Sequence, residues 1–247
     1  MRLVAHAVLG STNTEALSLA DQGERGPVWV TAERQTAGRG RRGRKWISQP
    51  GNLYASLLLT EPAPAEHWPQ LSFVAALAIH DAVVAIAADL APRVAIKWPN
   101  DLLLDGAKFA GILIAGQASS DAGSVVAVGI GVNCASHPND ADYPATDLAD
   151  ASLSPDGLFG VLSVKMLTRL AQWNAGVGFS TIRADWLARA AGLGEDVRVH
   201  LPDREITGRF EALDEAGGLV LRLPDGAVTT VAAGDVFLRA GAPAETS

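Results

Sequence analysis

Gly38-Arg39-Gly40-Arg41-Arg42-Gly43, followed by Arg44-Lys45-Trp46-Ile47-Ser48-Gln49-Pro50-Gly51, decides which fold this chain can adopt. The first six residues satisfy G-x-G-x-x-G, and a β-rich run at 27–33 precedes them. A dinucleotide-binding βαβ unit needs a helix to open at the last glycine, because its first amides receive the pyrophosphate. Pro50 and Gly51 forbid that helix, so the context test for a Rossmann unit fails. The stretch reads instead as a loop made for an anion. Its glycines let the backbone wrap close to a ligand, and its guanidinium forks offer bidentate bonds to carboxylate or phosphate.

Charge outside the loop sharpens this reading. The 247 residues carry 20 Lys and Arg against 27 Asp and Glu, a net charge of −7. Yet no acid occurs between Arg34 and Thr60, while Arg34, Arg39, Arg41, Arg42, Arg44 and Lys45 crowd together. One basic loop on an acidic protein suits a discrete anionic ligand better than a long polyanion. The single cysteine, Cys134, excludes an internal disulfide and any zinc site needing two thiolates from this chain. The N-terminal residues show no signal-peptide cleavage pattern, and the apolar run 71–88, broken by His80 and Asp81, reads as too short and too polar for a bilayer. These features point to a soluble protein of a reducing compartment, the cytoplasm.

Hydrophobic patterning predicts strands at 2–9, 27–33 and 52–60 and a helix at 15–21, capped by Ser11, Thr12 or Thr14. A nearly all-apolar stretch at 70–89 predicts a buried helix. Strands follow at 94–98, 108–115 and 125–132, the first two joined by a turn at Asp105-Gly106, then helices at 157–173 and 180–191. After Gly192 the pattern becomes four short strands separated by Pro202-Asp203, Ala216-Gly217-Gly218 and Pro224-Asp225-Gly226. That spacing predicts a small antiparallel barrel.

Three further clusters carry chemistry. In Lys97-Trp98-Pro99-Asn100-Asp101 the proline ends a strand, leaving an amide that can read a base edge and a carboxylate that can meet Mg²⁺. Lys108-Phe109-Ala110-Gly111-Ile112-Leu113 places an ammonium at a strand start, where it can face a phosphate. The chain has only four lysines, and Lys97 and Lys108 hold such sheet-end positions. Gly129-Ile130-Gly131-Val132-Asn133 combines close backbone approach with a terminal amide. Each is weak alone: the first is by itself an ordinary turn, the second a solvated strand end, the third core packing.

Together with Ser11-Thr12-Asn13, the run Gln35 to Trp46 and Asn52-Leu53-Tyr54, these clusters occur in the order seen in biotin protein ligases, which the chain resembles over about residues 8–134. The strands at 195–240 resemble that family's SH3-like C-terminal domain. The resemblance implies an α+β fold: a mixed-sheet catalytic domain of the biotin/lipoate ligase, class II synthetase-like type at 1–192, an SH3-like barrel at 193–240 and a tail at 241–247. It implies an enzyme that activates biotin with ATP and Mg²⁺ to form biotinyl-5′-AMP and passes biotin to one lysine of a carboxyl carrier protein. Because Ser11 opens the pattern almost at once, it implies the enzyme-only form without a helix-turn-helix, binding neither DNA nor membrane, as monomer or homodimer.

By the same resemblance Arg39, Arg41 and Lys108 are catalytic. Ser11, Thr12, Asn13, Gln35, Gly38, Gly40 and Gly111, with Arg39, Arg41 and Lys108, bind biotin. Arg41, Arg44, Trp46, Lys97, Asn100, Asp101, Lys108 and Asn133 bind ATP, Trp46 against the adenine, and Asp101 is the candidate Mg²⁺ contact. Cys134 is read as a core thiol, since the acceptor lysine can attack the mixed anhydride directly. The five adjacent cations at 39–45 repel one another, which predicts a loop that is mobile until an anion arrives. The rivals are a lipoate or octanoate ligase or transferase and, outside enzymes, a nucleic-acid-binding regulator. The arginine-rich loop and the KWPND run favour biotin over the first, and the net charge argues against the second.

Overall fold

The structure, a computed structural model, describes residues 1–117 and 123–238. The expected tail at 241–247 lies outside the described residues. In chain order come β1 (Arg2–Leu9), α1 (Thr12–Asp21), β2 (Val28–Gln35), β3 (Leu53–Thr60), α2 (Leu71–Ile86), β4 (Val94–Lys97), β5 (Asp101–Leu104), β6 (Ala107–Gln117) and β7 (Val125–Val132). Then follow α3 (Pro155–Trp173), α4 (Phe179–Leu187), β8 (Asp196–His200), β9 (Glu205–Leu213), β10 (Leu219–Arg222), β11 (Val228–Val231) and β12 (Asp235–Leu238).

The first seven strands form one sheet in the order β1-β2-β3-β7-β6-β5-β4. Only β1 and β2 run parallel, so the sheet is mixed and the fold is α+β. Its central strands read as nearly unbroken apolar runs because both faces are covered. On one face, Val28, Val30, Leu58, Val125 and Ala127 pack under Ala16 and Ala20 of α1. On the other, Trp29, Leu57, Leu59, Val126 and Val128 meet α2, which lies against α3 and α4.

The helical stretch Ala65–Ile86, which includes α2, is long and apolar enough to cross a membrane, against the sequence expectation for 71–88. It passes on length and composition only, and 72% of its most apolar window is buried inside the protein, where it fills the core beneath the sheet.

Two strands escaped the sequence pattern. The turn at Asp105-Gly106 joins β5 to β6, not β4 to β6, because a four-residue strand follows Asn100 and pairs with β4 as well. The second sheet has five strands, not four, all antiparallel, in the order β11-β10-β9-β8-β12. Its last strand returns to pair with β8, and this places Asp235 at the edge of the pocket described below.

Candidate active site

A cavity of about 510 Å³ lies on the α1 face of the large sheet. Its floor exists because three residues there lack side chains. Gly111 and Gly131 pair across β6 and β7, and the Trp46 indole rests on both. A Cβ on Gly131 would sit 2.6 Å from that ring, and one on Gly129 would sit 2.4 Å from Asn13 Oδ1. The Trp46 Nε1 is buried with no hydrogen-bond partner among the described residues.

One end of the cavity is lined by neutral polar groups. Ser11 is the N-cap residue of α1 but makes no side-chain cap. The Gln35 side-chain carbonyl instead accepts from Thr12 N at 2.8 Å and from Thr12 Oγ1 at 3.2 Å. Gln35 Nε2 donates to Ser48 Oγ at 3.0 Å, and Asn13 Nδ2 donates to the Leu113 carbonyl at 3.0 Å. Ser56, wholly buried, places its Oγ 2.7 Å from Thr12 Oγ1 and 2.6 Å from Asn13 Oδ1. The sequence reading missed Ser56, since a serine inside an apolar strand carries no motif.

The other end is cationic. Lys108 Nζ lies 2.6 Å from Asp101 Oδ1, and Lys97 Nζ lies 3.1 Å from Asp101 Oδ2. Burial alone would raise the Asp101 carboxyl, but the two ammonium groups outweigh it and hold it below the usual range. Lys108 also stands 5.4 Å over the Trp46 ring and 5.0 Å over the Tyr143 ring. Tyr143 precedes Pro144, whose carbonyl accepts from Lys108 N at 2.8 Å, and this backbone pairing sets the ring beside the lysine. No sequence pattern signalled Tyr143.

The glycine/arginine loop is folded. Trp46 N donates to the Gly38 carbonyl at 3.0 Å, Gly40 N to the Arg44 carbonyl at 2.7 Å, and Arg41–Gly43 forms a tight turn with Arg42 at φ 54. Gly38 is needed where the loop closes, because a Cβ there would lie 2.5 Å from the Trp46 carbonyl oxygen. Arg41 Nη1 donates to Asn100 Oδ1 at 3.0 Å and to the Gly234 carbonyl at 3.3 Å. Burial lowers the Arg41 pKa from its ordinary value, although Asp235 and Asp101 oppose the shift.

Nearly all the residues singled out from sequence line this cavity: Ser11, Thr12, Asn13, Gln35, Arg39, Gly40, Arg41, Arg44, Trp46, Lys97, Asn100, Asp101, Lys108 and Gly111. Gly38 and Asn133 are not among its lining residues. Asn133 works in the scaffold, where its Nδ2 donates to the Thr146 carbonyl at 3.0 Å and its carbonyl accepts from Leu148 N at 3.0 Å. Trp46 faces the glycine floor and Lys108. The Asp101 donor set does not fit a resident Mg²⁺, since an ammonium already meets each carboxylate oxygen. Among the described residues no group of three or more His, Cys, Asp or Glu could hold a metal ion. Cys134 is buried, and burial pushes its thiol up to about 11, which keeps it protonated and unreactive near neutrality.

A mixed α+β sheet with a glycine-floored cavity, neutral polar groups at one end and cations at the other, defines a small-acid-activating type of domain. The chain belongs to the biotin/lipoate A/B protein ligase family, whose model matches residues 6–133, and the biotin protein ligase C-terminal domain matches residues 192–239. It is 44% identical to a biotin–[acetyl-CoA-carboxylase] ligase of Paracoccus denitrificans, over 92% of this chain and 96% of that one. It is 35% identical to a bifunctional ligase/repressor of Bacillus subtilis, over 91% of this chain and 70% of that one. Among solved structures, the biotin protein ligase of Aquifex aeolicus in complex with biotin and ATP superposes with a TM-score of 0.80 at 27% identity, covering 97% and 99% of the two chains.

Proposed function

We propose that this protein activates biotin with ATP, releasing pyrophosphate and forming biotinyl-5′-AMP, and then transfers biotin to a lysine of a carboxyl carrier protein, releasing AMP. The observation that carries the reading is the polarity of the cavity. Neutral donors and acceptors at Ser11, Thr12, Asn13 and Gln35 suit a cyclic urea, and Arg39, Arg41, Lys97 and Lys108 suit a carboxylate meeting a phosphate. The first step brings two anions together and builds more charge on the α-phosphate, so positioned cations lower its barrier. Lys108 neutralises the reacting oxygens, and Arg39 and Arg41 hold the carboxylate and phosphate in line. Asn100 orients Arg41 through the 3.0 Å bond already formed. Asp101 serves the two lysines as their counter-ion and holds no metal in this scheme. In the second step the acceptor lysine attacks the acyl carbon and AMP leaves.

The named activity of the Paracoccus relative and the C-terminal domain match favour biotin over lipoate or octanoate. The pairing of Arg42 and Arg44 with Asp235 supports reading the basic loop as a site for a small anion over a surface for duplex DNA. The compartment that fits this activity is the cytoplasm. The deciding experiment is ATP-dependent labelling of a biotin carboxyl carrier domain, read with streptavidin, with lipoate and octanoate offered in parallel. Transfer of lipoate or octanoate in preference to biotin would overturn the assignment.

A further inference from the structure

Four arginines stand in the 39–44 loop, and they are not equivalent. Arg42 Nη1 lies 3.1 Å from Asp235 Oδ2, and Arg44 Nη2 lies 2.9 Å from Asp235 Oδ1. Arg41 is only 3.8 Å from the same carboxylate, and its Nη1 hydrogen-bonds Asn100 and the Gly234 carbonyl instead. Arg39 lines the cavity. Asp235 opens β12, which pairs with β8, and a Cβ on the neighbouring Gly234 would lie 2.6 Å from Val199 Cγ1. The carboxylate therefore projects from a packed strand of the second sheet, while its partners belong to a glycine-rich loop of the first domain. The platform itself is fixed to the cavity wall, because Trp98 Nε1 donates to the Gly217 carbonyl at 2.9 Å.

We propose that Asp235 is a positioning residue that clasps the loop over the cavity, committing Arg42 and Arg44 to the barrel and leaving Arg39 and Arg41 to meet substrate. The clasp answers the repulsion among the loop cations. Without an internal anion, five adjacent positive charges on a flexible backbone stay open until a ligand neutralises them. With Asp235 in place, part of that neutralisation is built into the chain. A ligand that binds only the closed loop then gains affinity in proportion to the closed fraction. The C-terminal barrel thus acts on the first-domain site without touching the reacting atoms. It also gives Arg44 a task other than the ATP contact expected from sequence.

The inference rests on the proposed ligase activity for its kinetic arm, and a proteolysis arm stands without it. In ligand-free protein, Asp235→Ala should raise the rate of trypsin cleavage after residues 41–45 about fivefold over wild type. Asp235→Glu should restore most of the protection, and Asp235→Asn, of the same shape, should behave like Asp235→Ala. In biotin ligation, Asp235→Ala should raise the KM for biotin about tenfold with kcat within about twofold. Arg44→Gln should raise KM by a similar factor and add nothing in the Asp235→Ala background. A further multiplicative rise in the double variant would show that Arg44 contacts ligand itself and would overturn the division of labour. Equal cleavage rates for wild type and Asp235→Ala would overturn the clasp. If wild type fails to ligate biotin while Asp235→Ala still opens the loop, the activity reading falls and the clasp stands.

Discussion

Two carboxylates lining the cavity each gather cations. Asp101 bridges Lys97 and Lys108; its side chain is 13% exposed, and the two lysines are 19% and 14% exposed. Asp235 bridges Arg42 and Arg44, which are 36% and 52% exposed. The first cluster joins neighbouring strands of one sheet, with partners within eleven residues of one another. The second joins elements nearly two hundred residues apart. Burial makes the Asp101 cluster a fixed part of the sheet, whereas exposure makes the Asp235 cluster weak enough to open and close. One end of the site is permanently aimed, and the other is releasable.

The largest expected effect tests the fixed end. Lys108→Ala should reduce biotinyl-adenylate formation on the order of 10²-fold or more, as for loss of one preorganised charge contact. Read alone, the sequence around this lysine is a solvated strand end. With its ammonium mostly buried against Asp101 and two rings, the variant should also lose roughly 1–3 kcal/mol of stability in urea unfolding. Wild-type adenylation by the variant would remove Lys108 from the chemistry.

Next comes the contrast between the two acids. Asp101→Asn leaves two ammonium groups close together with no anion, so unfolding should show a loss of about 2–4 kcal/mol. Asp235→Asn should change stability by less than about 1 kcal/mol, because exposed pairs are screened. Equal losses would erase the distinction between a fixed and a releasable cluster.

The Asp101 cluster was half legible in the sequence. Lys97, Asp101 and Lys108 stood out as polar residues at the ends of apolar runs, and they do converge. What the pattern could not supply was β5, a strand of four residues directly after Pro99-Asn100. That strand turns Asp101 toward the lysines and makes it a counter-ion in place of a metal contact. The Asp235 cluster was illegible, because nothing near Asp235 marks it and its partners are set by how the barrel docks. The same holds for Tyr143, placed by backbone pairing to Lys108, and for Ser56, hidden in a strand. Gly129 and Gly131 were visible as small residues, but only their register opposite Asn13 and Trp46 shows that they form a floor. The mobility expected of the loop rested on its own charges alone and omitted Asp235, an acid brought to it from the second sheet.

The pH dependence follows from the sign of the Asp101 shift. Its carboxyl is held below the usual 3.8. The unfolded chain therefore binds more protons than the native one in the acid range, and the stabilisation is complete above the unfolded value. The stability difference between wild type and Asp101→Asn should stay flat from about pH 5 to about pH 8 and shrink only as pH falls below about 4. Urea unfolding of both proteins at matched pH measures it. A difference that fades between pH 5 and 7 would mean that a group other than the Asp101 carboxyl controls the cluster.

Salt gives the smallest and most selective test. The Debye length falls from about 10 Å at 0.1 M to about 3 Å at 1 M, and exposed pairs feel this far more than buried ones. Raising salt from about 0.05 M to about 0.5 M should therefore loosen the Asp235 clasp, speeding trypsin cleavage at 41–45 about two- to threefold in ligand-free protein. The rate must be normalised to a free peptide of residues 38–46, since the protease has its own salt response. In Asp235→Ala the normalised rate should not rise and should fall slightly, because only the repulsion among the loop cations is left for salt to screen. The loop has a second hold, the Trp46 indole lying on Gly111 and Gly131, and that apolar contact does not weaken with salt. A wild-type loop indifferent to salt would therefore assign its closure to Trp46, and the comparison between the two carboxylates would fail at its releasable end.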